Sequence, residues 1–191
     1  ISANVTDYYY NNIANVTANV TWDSTSEIVI LSYNGTSGLY EGSFTNTSDL
    51  GQYDVTIIAT DYGGNVNNTE TTYFNVVDNT FPLYSADSDD SGGSVVAGTI
   101  VNVSVLWQDN VALDTAVFRT NESGIWANIS TCAFSGTLSW CNKTIDTTGY
   151  AGSRICWNQY ANDTSNNWNT TMPETHCFDI SVLNTAPAAK T

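Results

Sequence analysis

Apolar and polar residues alternate in short runs along the whole chain, and Gly, Asn, Asp and Ser cluster between the runs. Val16, Ala18, Val20 and Trp22 share one parity, while Asn15 and Asn19 share the other. Val101, Val103, Val105 and Trp107 repeat the pattern, with Asn102 opposed. Side chains alternate faces along a strand, so each run predicts a half-buried strand with its apolar face inward. Val, Ile, Thr, Tyr and Trp dominate these runs, and no segment keeps a helical period. The fold expected from this is an all-β sandwich. One position resists: parity with Ile155 and Trp157 places Gln159 inside. A buried amide there requires a hydrogen-bond partner or a bulge.

The chain also aligns with itself. Asn15–Trp22 matches Ile100–Trp107, each run ending in Trp. The next runs, Glu27–Leu31 and Asp114–Phe118, follow Asp-containing turns. Ala59-Thr60-Asp61-Tyr62-Gly63-Gly64-Asn65 matches Ala161-Asn162-Asp163-Thr164-Ser165-Asn166-Asn167. Each copy closes on a strand, Tyr73–Val76 and His176–Ile180. Asp78-Asn79-Thr80-Phe81-Pro82 matches Leu183-Asn184-Thr185-Ala186-Pro187 as a linker. The expected organisation is two tandem domains, residues 1–79 and 80–183, and a linker-like tail, 184–191. An extended N-terminal segment precedes the first matched strand.

Three features resemble the Ig-like, cadherin-like and fibronectin-type repeats of archaeal and bacterial surface and filament proteins. They are the Asn-Thr-x-Pro linker, the alternating strand ending in Trp, and the Ala-x-Asp-x-x-x-Asn turn. The resemblance implies two tandem Ig-like β-sandwich domains and leaves function open. The first domain departs from it by lacking a leading Pro.

Composition narrows the partners. The formal net charge is −15, yet only 12% of residues are charged. The basic residues are Arg119, Lys143, Arg154 and Lys190, too few to build a patch for nucleic acid or an anionic membrane. No run of about 20 apolar residues is present to span a bilayer. No signal peptide is evident and the chain starts at Ile1, as expected of a mature product or an excerpt.

The polar load is carried by Asn, Ser and Thr. Asn-x-Ser/Thr sequons occur at Asn4, Asn15, Asn19, Asn34, Asn46, Asn67, Asn102, Asn121, Asn128, Asn142, Asn162 and Asn169. Random placement gives roughly half that number of glycosylation acceptors of this form. Parity puts Asn15, Asn19 and Asn102 on outer faces, and Asn162 out of phase with Ala161. Asn34-Gly35 reads as a hairpin turn, and Asn121 occupies the matching loop. The expectation is a coat of N-linked glycans on an extracellular protein.

Cys132, Cys141, Cys156 and Cys177 all lie in the second domain, and four cysteines allow three connectivities. Cys156 and Cys177 are both out of phase with their apolar neighbours, and Cys132 and Cys141 flank a short loop. The expected pairs are therefore Cys132–Cys141 and Cys156–Cys177, suited to an oxidising compartment. The spacings do not fit the Cys-x2–4-Cys knuckles of a zinc site completed by His176.

No catalytic motif is evident, and His176, the only histidine, has no carboxylate or nucleophile beside it in sequence. The expectation is a protein without enzymatic activity. Asp87, Asp89 and Asp90 offer oxygens to calcium, as do Asp61 and Asp163 in the matching turns. The expectation is nonetheless no metal or cofactor: the favoured reading is a solvated acidic loop and aspartates that bond their own turns. Trp22 and Trp107 are expected in cores, whereas Trp126, Trp140, Trp157 and Trp168 are candidate carbohydrate platforms.

These features point to a structural subunit of a glycosylated extracellular filament, a homopolymer assembled head-to-tail. Strand addition is the expected joint, with residues 1–12 as donor. The alternative is a segment of a modular adhesin or S-layer-associated glycoprotein, with or without carbohydrate binding.

Overall fold

The computed structural model describes residues 1–8 and 12–182; the linker-like tail expected at 184–191 lies outside the described residues. Among the described residues, every regular element is a β-strand. The chain divides into two compact units, Ile1–Asp78 and Asn79–Thr191.

The first unit contains β1 (Ser2–Ala3), β2 (Ile13–Trp22), β3 (Thr25–Asn34), β4 (Leu39–Glu41), β5 (Gly51–Asp61) and β6 (Val66–Val76). They form one sheet in the order β1-β4-β3-β2-β5-β6. Its core is Val16, Ala18, Val20, Trp22, Val29, Leu31, Tyr53 and Val55, as the alternation of β2 requires. Ile1, Ala3, Val5, Tyr40 and Phe44 pack against this face. The sheet's β1–β4 end therefore supplies part of a second layer over the rest. Tyr53 stacks on Trp22 and on Phe74, each with centroids 5.0 Å apart. Phe44 meets Trp22 edge-on at 5.5 Å.

The second unit contains β7 (Leu83–Asp89), β8 (Ser94–Val96), β9 (Ile100–Gln108), β10 (Leu113–Thr120) and β11 (Ala127–Ala133). It continues with β12 (Leu138–Asp146), β13 (Arg154–Asp163), β14 (Trp168–Asn169) and β15 (His176–Ser181). A three-stranded sheet, β12-β9-β7, and a five-stranded sheet, β11-β10-β13-β15-β8, enclose the core; β14 adds to β13. Val101, Val103, Val105 and Trp107 are all fully buried, as their parity predicts. Gln159 is also fully buried, and its partners are clear. Trp107 Nε1 donates to Gln159 Oε1 at 3.0 Å, and Gln159 Nε2 donates to the Cys141 carbonyl at 3.1 Å. Both ends of the amide are satisfied, so the polar group costs little where it sits.

Pairing relates the two units differently from the sequence alignment. Ile13 pairs with Asp61 and Asn15 with Thr60, with a register shift between Ile13 and Asn15. Leu113 pairs with Asp163 and Thr115 with Asn162, with the same shift between Leu113 and Thr115. Beside each shift, Tyr62 N donates to Asn12 O and Thr164 N to Ala112 O, both at 3.0 Å. Thus β2 corresponds to β10, not to β9 as the matched Trp-ending runs suggest. By the same logic β1 corresponds to β9, β3 to β11, β4 to β12, β5 to β13 and β6 to β15. Two amphipathic strands look alike in sequence because burial sets their alternation; only the ladder partners separate them.

One element has no counterpart among the described residues of the first unit. In the second unit β7 pairs antiparallel with β9, and β8 pairs parallel with β15. This β7–β8 stretch joins the edges of both sheets and closes the sandwich.

Candidate functional site

The sequon asparagines fall into three groups. Asn4, Asn15, Asn46, Asn67, Asn102, Asn128 and Asn142 are exposed, and Asn19, Asn34 and Asn121 are half-buried. Asn162 and Asn169 are buried, at 5% and 2% exposure. The outward position expected for Asn162 is therefore corrected. The bulge at Asp114 removes a ladder partner, and Asn162 Oδ1 accepts the Thr115 N–H at 3.1 Å in its place. Asn162 Nδ2 donates to Asp114 Oδ2 at 3.2 Å. Asn169 Nδ2 donates to the Pro82 carbonyl at 2.7 Å, which ties β14 to the strand entering the unit. These two amides work inside the fold and have no room for a sugar.

Local geometry at three sequons is shared. Asn34, Asn67 and Asn169 each accept, at Oδ1, the backbone N–H of the Thr two residues on, at 2.9, 3.0 and 2.8 Å. This is an Asx-turn, which brings the Thr close to its amide. Asn102 Nδ2 donates to Asp90 Oδ2 at 2.6 Å, and Asn34 Nδ2 to Glu41 Oε2 at 2.7 Å.

The cysteines pair as Cys132–Cys141 and Cys156–Cys177. Cys156 and Cys177 are opposed residues on β13 and β15. Cys132 stands on β11 and Cys141 on β12, so this bond joins the two sheets. In the first unit the corresponding strands β3 and β4 are joined by a ladder instead, with Tyr33 and Tyr40 opposed.

The acidic run after the linker does not converge on one point. Asp87 Oδ2 lies 2.5 Å from His176 Nε2, giving the histidine the carboxylate that sequence spacing had hidden. Asp89 Oδ2 accepts Trp157 Nε1–H at 2.9 Å, and its other oxygen accepts from Ser91. Asp90 accepts the backbone and side-chain N–H groups of Asn102, which hold its carboxyl below the usual range. Asp87 and Asp89 thus stitch β7 across the sandwich to β15 and β13. His176 also packs on Trp157, with centroids 4.8 Å apart.

The tryptophans divide likewise. Trp157 is core. Arg119 lies over Trp126 at 5.3 Å and over Tyr160 at 4.5 Å. Trp140 and Trp168 remain 49% and 43% exposed, the two rings of the expected platform set that face solvent most.

In the first unit a groove of about 440 Å³ is lined by Ser2–Thr6 on one side and by Ile57, Ala59, Asn67 and Glu70–Thr72 on the other. It runs between the segment that corresponds to β9 and the strands that correspond to β13 and β15. This is the seam that β7–β8 closes in the second unit. Residues Ile1, Ala3 and Val5 are half-buried within their own unit, and Ser2 and Ala3 pair with β4. The N-terminal segment expected as a strand donor therefore has a place in its own fold.

No known family model matches the chain, and no curated protein sequence matches it. Fold and sites define the class alone: an all-β protein with two disulfides, whose sequons mostly face solvent.

Proposed function

We propose that the protein is a non-enzymatic structural component of a glycosylated extracellular fibre, and that its first unit accepts a strand from a second copy. The observation that carries this reading is the seam beside Ser2–Thr6. The second unit supplies the template for its occupant, an extended strand antiparallel to one edge and parallel to the other. Such an addition joins subunits through main-chain hydrogen bonds and covers an edge that otherwise invites aggregation. The exposed and half-buried sequons would carry N-linked glycans over the remaining surface, and the disulfides suit an oxidising compartment. Two sequon asparagines, Asn4 and Asn67, line the seam itself, so strand uptake there requires these two to stay free of glycan.

Electron microscopy of the full chain from a glycosylating host tests this. Regular fibres are expected, lost when Pro replaces Asn4 or Val5. Backbone N–H groups alternate in direction along a strand, so one of the two substitutions removes a donor at the open edge. Fibres that survive both substitutions sink strand addition at this seam. The repeated linker favours a second reading, a modular adhesin or S-layer-associated chain, which would give isolated beaded particles. Binding on a glycan array would point to Trp140 and Trp168 as a carbohydrate platform.

A further inference from the structure

The loop after β9 places one buried carboxylate against another. Asp109 is 5% exposed and Asp163 1% exposed. A carboxylate oxygen of each lies within 4.8 Å of the other's. Asp109 Oδ1 accepts the N–H groups of Val111 and Ala112 at 2.8 and 2.9 Å, which fixes the turn into β10. Asp109 Oδ2 is buried with no hydrogen-bond partner among the described residues. Asp163 is held in the matching turn, where both its oxygens accept from Asn167, at 2.8 and 2.7 Å.

Two carboxylates this close repel strongly once water is removed, and a buried charge without a partner is among the costlier features a fold can carry. Among the described residues, the basic side chains are engaged elsewhere. Arg119 bonds Asn128, Tyr160 and Glu174; Lys143 bonds the Thr131 carbonyl; Arg154 pairs with Asp179. Both aspartates are fixed by their own turns, so neither is free to rotate away.

We infer that Asp109 and Asp163 hold a hard divalent cation, calcium, at this end of the second unit. Calcium prefers carboxylate oxygens and completes its shell with carbonyls and water, which suits a turn-rich pole with one unclaimed oxygen. The ion neutralises the pair and pins the β9–β10 loop to the β13–β14 loop. This site is separate from the Asp87–Asp90 run and does not depend on the fibre reading.

Calorimetric titration of the full chain with calcium chloride tests it. One saturable site is expected, with a Kd of roughly 0.1–1 mM, the range of extracellular modules. Asp109→Asn keeps the oxygen that accepts from Val111 and Ala112, and should weaken binding at least about tenfold, since the cation loses one of its two anionic ligands. Asp61→Asn, in the first unit's matching turn, and Asp90→Asn should leave it unchanged. The melting of Asp109→Asn should match or exceed that of wild type in chelator and fall below it in calcium. Hydrogen exchange of the unsubstituted protein gives a variant-free readout: calcium should slow exchange at 109–112 and 163–167. Absence of saturable binding overturns the site, as does binding lost in Asp90→Asn but kept in Asp109→Asn, or exchange that calcium leaves unchanged.

Discussion

The two units share a strand order and close it by different means. In the second, β7–β8 bridges the edges of β9 and β15, and Cys132–Cys141 ties β11 to β12. In the first, β3 and β4 pair directly, the β7–β8 position is a groove, and no cysteine is present. Its interior leans on stacked aromatic rings, Trp22, Tyr53 and Phe74 with Phe44 against them. Trp22 and Tyr53 are also anchored by their polar ends: Trp22 Nε1 donates to Asp49 Oδ2 at 3.1 Å, and Tyr53 Oη to the Asp49 carbonyl at 2.9 Å. The difference teaches that the same topology can leave a seam open over an aromatic stack, or shut it by strand pairing over a packed core that disulfides reinforce. A strand can be taken up only where closure has been left undone.

The largest effect should come from breaking the aromatic stack. Trp22→Ala should cost about 3–5 kcal/mol, as large aromatic truncations in cores do. It should lower the melting of the first unit alone, which separate calorimetric transitions would register; equal loss in both units would contradict the division. Removing Cys156 and Cys177 together should cost about 3 kcal/mol, from the loop-closure entropy of a bridge of this span. That loss should appear only in the second unit, and reductant, which opens Cys132–Cys141 as well, should lower that unit further without moving the first. Gln159→Leu comes next, at roughly 2–3 kcal/mol. It orphans the Trp107 N–H and the Cys141 carbonyl, each worth about 1–3 kcal/mol, offset in part by the apolar gain of leucine. A denaturant series showing no loss for Gln159→Leu would mean water replaces the amide.

Much of this was legible in the sequence, and the rest failed for definable reasons. Alternation gave the buried faces of β2 and β9 because burial on one side forces period two. Parity also paired Cys156 with Cys177, since opposed residues on neighbouring strands share a face. It placed Gln159 inward but not beside Trp107, which lies 52 residues away. Nor does spacing bring Asp87 to His176, 89 residues apart. Asn162 misled because a bulge gave its amide a backbone duty that no pattern of polarity encodes. The self-alignment misled in the same way. Its reliable part was the Ala-x-Asp turn, where Asp61 and Asp163 bond Asn65 and Asn167 through the same atoms at the same distances. Even the backbone agrees, with Gly64 and Asn166 both at positive φ, 85° and 65°. The Trp-ending runs were similar only because both are half-buried strands. The Asp109–Asp163 pair was half visible, as an aspartate in a matching turn whose neighbour comes from another loop.

The smallest effect sharpens the comparison through pH. In the first unit, Asn65 donates from its side chain and backbone to Asp61 and holds its carboxyl below the usual aspartate range. Asn34 and then Ser37 do the same for Glu41. A depressed folded pKa means that the unfolded chain takes up protons first as pH falls. The stabilisation is whole above the unfolded value and is lost as pH drops through the folded one. For Asp61 that decline starts at about pH 4, the ordinary aspartate value. Both groups stay partly exposed to solvent, so screening keeps the contribution small. Asp61→Asn should flatten the acid limb of the first unit's melting curve and leave the second unit's limb, where Asp90 and Asp146 titrate under similar bonds, unchanged. Melting followed from pH 6 to pH 2.5 reads both limbs in one sample. A flattened limb in the second unit would mean that the turn aspartate of one unit reports on the stability of the other.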